Sequence, residues 1–133
     1  MMVNDLIEKA LEARKNAHAP YSDFYVGAAL LTADGEIFLG ANIENGSYGA
    51  TICAERSAFC SAISSGKRTF SAIAIVGGKK DDDISDFCPP CGICRQFMAE
   101  FCSPDFEILL YNGKETKKTT LASLLPDSFN LKS

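Results

Sequence analysis

Two short stretches constrain the fold more than anything else in the chain: Cys53-Ala54-Glu55-Arg56 and Pro90-Cys91-Gly92-Ile93-Cys94. Each opens a helical pattern. From Glu55 an apolar stripe runs through Ala58, Phe59, Ala62 and Ile63, which turns Glu55 toward the interior. From Cys91 the stripe runs through Cys94, Phe97, Met98 and Phe101, so two cysteines share a face at i, i+3 spacing. A carboxylate turned into a core is costly unless something pairs with it. Three thiols beside it point to a metal site, which requires the starts of the two helices to meet.

The sequence between and around these helices indicates how. Ala72-Ile73-Ala74-Ile75-Val76 is a continuous apolar run, as in a strand covered on both faces. A further strand is expected over Phe106 to Tyr111, after a helix that ends before Pro104. Strand, helix, strand predicts a parallel pair with a right-handed crossover. Upstream, Asn4 is placed to cap a first helix with Asp5 and Glu8 near its positive end, Leu6, Ile7, Ala10 and Leu11 on its apolar face, and an end before Pro20. Strands are expected over Phe24 to Thr32 and Glu36 to Ile43, with Ala33-Asp34-Gly35 as the hairpin turn. The Cys53 helix should run to about Ser65 and stop at Gly66. Gly77 to Phe87 reads as a polar loop, with Asp81 to Asp83 solvated. A weak strand near Glu115 to Lys118 and a short helix near Leu121 close the chain. No repeat or boundary divides it. The expectation is one α/β domain over residues 1–133, three-layered (α/β/α), with a mixed sheet of about five strands.

Composition narrows the function. At 133 residues and 47% hydrophobic content the chain can fill one core. Its net charge of −4 gives no general attraction to nucleic acid or to an anionic membrane. No run of about 18 apolar residues offers a membrane span. Met1 to Asp5 lacks the basic and apolar regions of a signal peptide, so a cytoplasmic location is expected. In that compartment six cysteines indicate metal ligands or free thiols before disulfides.

Zinc suits the set. It prefers four tetrahedral ligands, and three thiolates leave one position for water. Such a metal lowers the pKa of water to about 7, and a nearby carboxylate that is not a ligand can move protons. Glu55, two residues after Cys53, is close enough to face the metal without binding it. Three thiolates on Zn²⁺ leave a net negative centre, which Arg56 and two helix N-termini would offset.

This arrangement resembles the zinc-dependent nucleoside deaminases, in which Cys₃ zinc, an unligated Glu and Pro-Cys-x-x-Cys recur. Cys53-Ala54-Glu55 with Pro90-Cys91-Gly92-Ile93-Cys94-Arg95-Gln96 carries the likeness. Ala19-Pro20-Tyr21-Ser22, Phe24-Tyr25-Val26-Gly27-Ala28, Asn42-Ile43-Glu44-Asn45 and Leu124-Leu125-Pro126 extend it to the small homotetrameric cytidine deaminases, over about residues 5 to 129. The resemblance implies one zinc ion held by Cys53, Cys91 and Cys94, with Glu55 as the proton carrier. It implies hydrolysis of cytidine and deoxycytidine to uridine and deoxyuridine in pyrimidine salvage, with no nucleic-acid or membrane partner.

Further roles follow from the same likeness. Asn42 and Glu44 match residues that hold the sugar; on spacing alone they share one side of a strand end and could simply be exposed there. Phe24 matches a phenylalanine packed against the pyrimidine. Phe129 resembles an aromatic that reaches a neighbouring subunit's site, so active sites would lie at the interfaces of a homotetramer. Tyr48 is placed to line the pocket or a subunit contact, Ala54 to offer its backbone to the base edge, and Arg56 to hydrogen-bond a zinc-bound sulfur. His18, the only histidine, reads as a charge at the end of the first helix, far from these motifs. Cys60 and Cys102 read as core. Cys88-Pro89-Pro90-Cys91 repeats the two-residue spacing, so Cys88 could replace a ligand, and Cys88 and Pro89 depart from the family pattern.

Three other readings compete: a blasticidin S deaminase, a structural zinc module with Cys88 as fourth ligand, and a thioredoxin-like redox site. The last leaves Cys53 and Glu55 without a role.

Overall fold

In a computed structural model of the chain, residues 3–131 are described. Met1 and Met2, on which part of the signal-peptide reading rested, lie outside them. Helix α1 spans Val3–Arg14 and buries Leu6, Ile7, Ala10 and Ala13. Asn4 is therefore inside the helix and does not cap it, and Leu11 is only half-buried.

Strand β1 (Phe24–Thr32) pairs antiparallel with β2 (Ile37–Ala41). Gly35 makes the turn at φ +94°, a left-handed conformation that costs glycine little. The Glu36 N–H donates to Thr32 Oγ1 at 2.9 Å and closes the hairpin. β2 stops short of the expected Ile43, which makes isolated bridges to His18 and Ile52 instead.

A short 3₁₀ turn (Tyr48–Ala50) leads to α2 (Ala54–Ser64). Gly66 ends this helix at φ +96°, and the Lys67 N–H returns to the Ala62 carbonyl at 3.0 Å, the hydrogen bond of a glycine C-cap. Next come β3 (Phe70–Lys79), α3 (Gly92–Phe101), β4 (Glu107–Tyr111), β5 (Thr116–Thr120) and α4 (Leu121–Leu124). The polar loop before α3 is shorter than expected. Gly77, Gly78 and Lys79 extend β3 because Val26, Tyr25 and Phe24 pair with them. Arg14 reinforces that end, donating from Nε to the Tyr25 carbonyl at 3.0 Å and from Nη2 to the Gly78 carbonyl at 2.9 Å.

The sheet order is β2-β1-β3-β4-β5. β3 and β4 run parallel around α3, and the other neighbouring pairs are antiparallel. Alternation along β3 sends Ile73 and Ile75 to one face and Ala72, Ala74 and Val76 to the other. The first face packs on Phe59, Ala62 and Met98 of α2 and α3; the second packs on Leu6, Ile7 and Ala10 of α1. The result is the expected three-layer α/β/α arrangement with a mixed five-stranded sheet.

One contact fixes the helix that carries Glu55. A Cβ on Gly40 would lie 2.3 Å from the Ala54 carbonyl oxygen and 2.4 Å from the Ala58 nitrogen. The first turn of α2 thus rests directly on the β2 backbone. Gly40→Ala is expected to destabilise the protein by about 3 kcal/mol, the upper end for overpacking, because the obstacle is backbone. Thermal melting measures this. An unchanged melting temperature would show that α2 can lift from β2 without cost.

Candidate metal centre and cleft

Cys53 and Cys91 occupy equivalent places. Each is the residue just before a helix, in extended conformation, at φ −75° and −71° respectively. Both sulfurs therefore sit at positive helix ends. Cys94 is in the first turn of α3, fully buried. The three Sγ atoms lie within 4.8 Å of one another, and those of Cys53 and Cys91 are 3.6 Å apart. Tetrahedral Zn²⁺ with Zn–S bonds of about 2.3 Å needs sulfurs about 3.8 Å apart, so the donor set fits zinc by chemistry and spacing. Cys88 is outside this cluster.

The electrostatics suit a bound cation. The Cys53 thiol is pulled down to about 5, chiefly by a hydrogen bond from Cys94, with help from Arg56 and Cys91. Cys94 is correspondingly pushed up, because it keeps the proton it shares with Cys53 and because it is buried. Arg56 Nη2 is 3.7 Å from Cys53 Sγ and 3.5 Å from the Thr51 carbonyl. Glu55, in the first turn of α2, is only 5% exposed. Burial, and then the charge of Cys53, raise its carboxyl to about 7. A group poised there can both accept and donate a proton near neutrality.

These residues close one end of a cleft of about 360 Å³. Its walls near the thiols are Phe24, Val26, Cys88 and Pro89, and its far end is Ser22, Asn42 and Glu44. Asn42 is buried: Oδ1 accepts from the Val26 N–H and Nδ2 donates to the Phe24 carbonyl, both at 2.9 Å. Glu44 Oε1 accepts from the Tyr21 and Ser22 N–H groups at 2.9 and 3.1 Å. A comparable hollow of about 380 Å³ beneath α4 includes Cys102 and Asp127; among the described residues the cluster of potential metal ligands is at the first cleft.

A family model described as the cytidine and deoxycytidylate deaminase zinc-binding region matches residues 2–110. The chain belongs to that family. It is 47% identical over 131 residues, 98% of this chain and 93% of the relative, to a cytidine deaminase of Sporosarcina psychrophila. The crystal structure of cytidine deaminase from Burkholderia pseudomallei superposes with a TM-score of 0.89 at 47% identity, covering 97% of this chain and all of that one. A blasticidin-S deaminase of Bacillus cereus is more distant, 35% identical over 77% of this chain and 74% of its own length.

Zinc is the cofactor of this deaminase family, and the three-thiol cluster is where this member can hold it. Of the residues expected of a deaminase site, Phe24, Asn42, Glu44, Cys53, Ala54, Glu55 and Cys91 line the cleft together, with Cys94 buried behind and Arg56 against Cys53. Tyr48 does not line it. That side chain is 80% exposed, and it borders an adjoining hollow with its ring 6.4 Å from that of Tyr21. Phe129 is also outside the cleft, exposed beside α3, where its carbonyl accepts from Gln96 Nε2 at 3.4 Å.

Three readings need correction. Cys60 is exposed on α2, not core, although Cys102 is largely buried, its thiol pushed up to about 12 by burial. His18 is neither in the last turn of α1 nor remote: its N–H donates to the Asn42 carbonyl at 2.9 Å and its carbonyl accepts from the Glu44 N–H at 2.8 Å. Ser22, Val26 and Thr51 were missed as cleft residues. Ser22 and Val26 fall inside the Ala19–Ser22 and Phe24–Ala28 motifs, which could have flagged them; Thr51 carries no such signal.

Proposed function

We propose that the protein hydrolyses cytidine and deoxycytidine to uridine and deoxyuridine, releasing ammonia. The observation that carries this reading is the buried, neutral-range carboxyl of Glu55 beside three convergent thiols at the end of an open cleft. Cys53, Cys91 and Cys94 hold the zinc, which when bound supplies the Lewis acidity that makes water a nucleophile near pH 7. Glu55 takes the proton from the attacking water and passes it to N3 as the C4–O bond forms. It then takes the remaining proton from the hydroxyl on C4 and gives it to the 4-amino nitrogen; as the C4–N bond breaks, the C4=O double bond forms and ammonia leaves. Burial keeps Glu55 near the pH at which it can do both. Phe24 packs on the pyrimidine, the Ala54 backbone meets the base edge, Asn42 and Glu44 hold the sugar, and Arg56 offsets the thiolate charge.

The same reading extends to the molecule's setting: a cytoplasmic enzyme of pyrimidine salvage, acting as a homotetramer in which Phe129 and Tyr48 serve subunit contacts at the active sites. Their exposure supports contact roles, and among the described residues no helix is long and apolar enough to cross a membrane. In solution the mass should be four times the 14.3 kDa of one chain.

Ammonia release from cytidine, deoxycytidine, cytosine, blasticidin S and a cytosine oligonucleotide tests the substrate. The first two are expected to react, and the oligonucleotide is not, given the acidic chain and the small cleft. Reaction with blasticidin S alone would move the protein to the rival activity, for which the distant Bacillus cereus relative is the support. The structural zinc module has less: it needs a fourth protein ligand, and Cys88 stays out of the thiol cluster.

A further inference from the structure

The far end of the cleft is organised by one hydroxyl. Ser22 Oγ bonds to Glu44 Oε2 and lies 3.1 Å from the Phe24 nitrogen. The polarity of this chain of bonds is fixed by chemistry. The Phe24 N–H can only donate, and an ionised Glu44 can only accept. Ser22 must therefore accept from Phe24 and give its single proton to Glu44. With the Tyr21 and Ser22 N–H groups on Oε1, three donors converge on one carboxylate. Those bonds hold Glu44 below the usual carboxylate range, Ser22 Oγ first among the causes. The turn that presents them is itself tied down: Asp23 takes φ +59° and its N–H donates to the Ala19 carbonyl at 3.0 Å. Of the three donors, only the hydroxyl can be removed by mutation without touching the backbone.

We propose that Ser22 is a positioning residue: its hydroxyl, oriented by the Phe24 N–H, fixes Glu44 Oε2 and so sets how strongly the enzyme selects the hydroxyls of the sugar. The inference rests on the sugar-holding role proposed for Glu44. A carboxylate with two backbone donors on one oxygen and a serine on the other has little rotational freedom. Without the serine, Oε2 can swing, and a hydroxyl at that end of the substrate meets a poorly aimed acceptor. Cys53, Glu55, Cys91 and Cys94, at the starts of α2 and α3, make no contact with this hydroxyl and keep their places.

The experiment compares kcat/KM for cytidine and for 2′,3′-dideoxycytidine, which keeps the base but lacks both ring hydroxyls, in Ser22→Ala, Ser22→Thr and Glu44→Gln. Melting temperature and zinc content check that each variant is intact. Ser22→Ala should lose about tenfold on cytidine, the scale of one hydrogen bond to a charged group. The loss should fall mainly in KM, with less than about threefold change on the dideoxy substrate. Ser22→Thr, which keeps the hydroxyl, should recover most of the loss. Equal losses on both substrates, no loss on cytidine, or no recovery by threonine would overturn the proposal. Glu44→Gln separates the two levels: if it fails to distinguish the substrates, the sugar role of Glu44 is wrong; if it distinguishes them and Ser22→Ala does not, only the role of Ser22 is wrong. Should Ser22→Ala not fold, Ser22→Cys keeps the volume with a weaker donor and is read by the same ratio.

Discussion

Glu55→Gln is expected to fold, keep its zinc and lose about ten-thousandfold in turnover of cytidine. The size follows from asking one carboxylate to make successive proton transfers, each a general acid–base step of about a hundredfold to ten-thousandfold. Glutamine matches the shape and can fill the same buried space, but it cannot shuttle a proton. Zinc content should not fall, because Glu55 is not among the clustered ligand atoms. Near-normal turnover in this variant would end the scheme. Stability supplies a second readout, in the metal-free protein. Burial raises the Glu55 carboxyl from 4.5 to about 7, so the folded state binds a proton that the unfolded state has released between those values. Its neutral form is tolerated at low pH, and stability is lost as pH rises from about 4.5 through 7. Glu55→Gln removes that loss. The metal-free variant should melt above the metal-free parent at pH 8, by the equivalent of ~3 kcal/mol at most, and together with it near pH 4. Chemical denaturation at the two pH values measures the difference, and a gap that is the same at both would show that the carboxyl is not buried as described.

Much of this was legible beforehand because the signals are local. Phe24–Thr32 reads as a strand and is one, bounded by an Asp23 at positive φ and a glycine turn. The helices after Cys53 and Cys91 follow from 3.6-residue stripes, and the parallel β3–β4 pair from the helix between them. What escaped was set by partners distant in sequence. Gly77-Gly78-Lys79 has no strand propensity of its own; it is a strand because β1 runs past it and Arg14 reaches its carbonyls. Cys60 follows the buried Phe59, but one residue is about 100° of helix rotation, enough to carry its thiol to the surface. His18 is distant from Glu44 along the chain and next to it in space, since two backbone hydrogen bonds join it to the Asn42–Glu44 segment. The site was legible where motif and periodicity coincide, at Cys53, Glu55, Cys91 and Cys94. It was not legible where a side chain such as that of Ser22 is assigned by the turn around it.

The largest structural effect should come from the buried thiol. Cys94→Ser is expected to lose zinc and, with it, all measurable deamination, while Cys88→Ser keeps full zinc occupancy. Both residues are three positions from Cys91, one on each side, yet the fold separates them. Cys94 points with Cys53 and Cys91 to one place, at the starts of two helices whose dipoles and Arg56 favour anionic sulfur. Cys88 sits on the cleft wall, outside the group of sulfurs that converge, so its loss removes no donor from the metal. Removing one of three thiolates leaves the metal two strong donors and a hydroxyl, too few to compete with dilute chelator. The same protein should therefore lose melting temperature on chelation only when Cys94 is intact, because a ligand stabilises a fold in proportion to its affinity for it. Metal analysis after dialysis, with thermal melts before and after chelator, reads both variants. If Cys88→Ser also sheds its zinc, the centre has four sulfur ligands and no position for water, and the catalytic scheme fails at its first requirement.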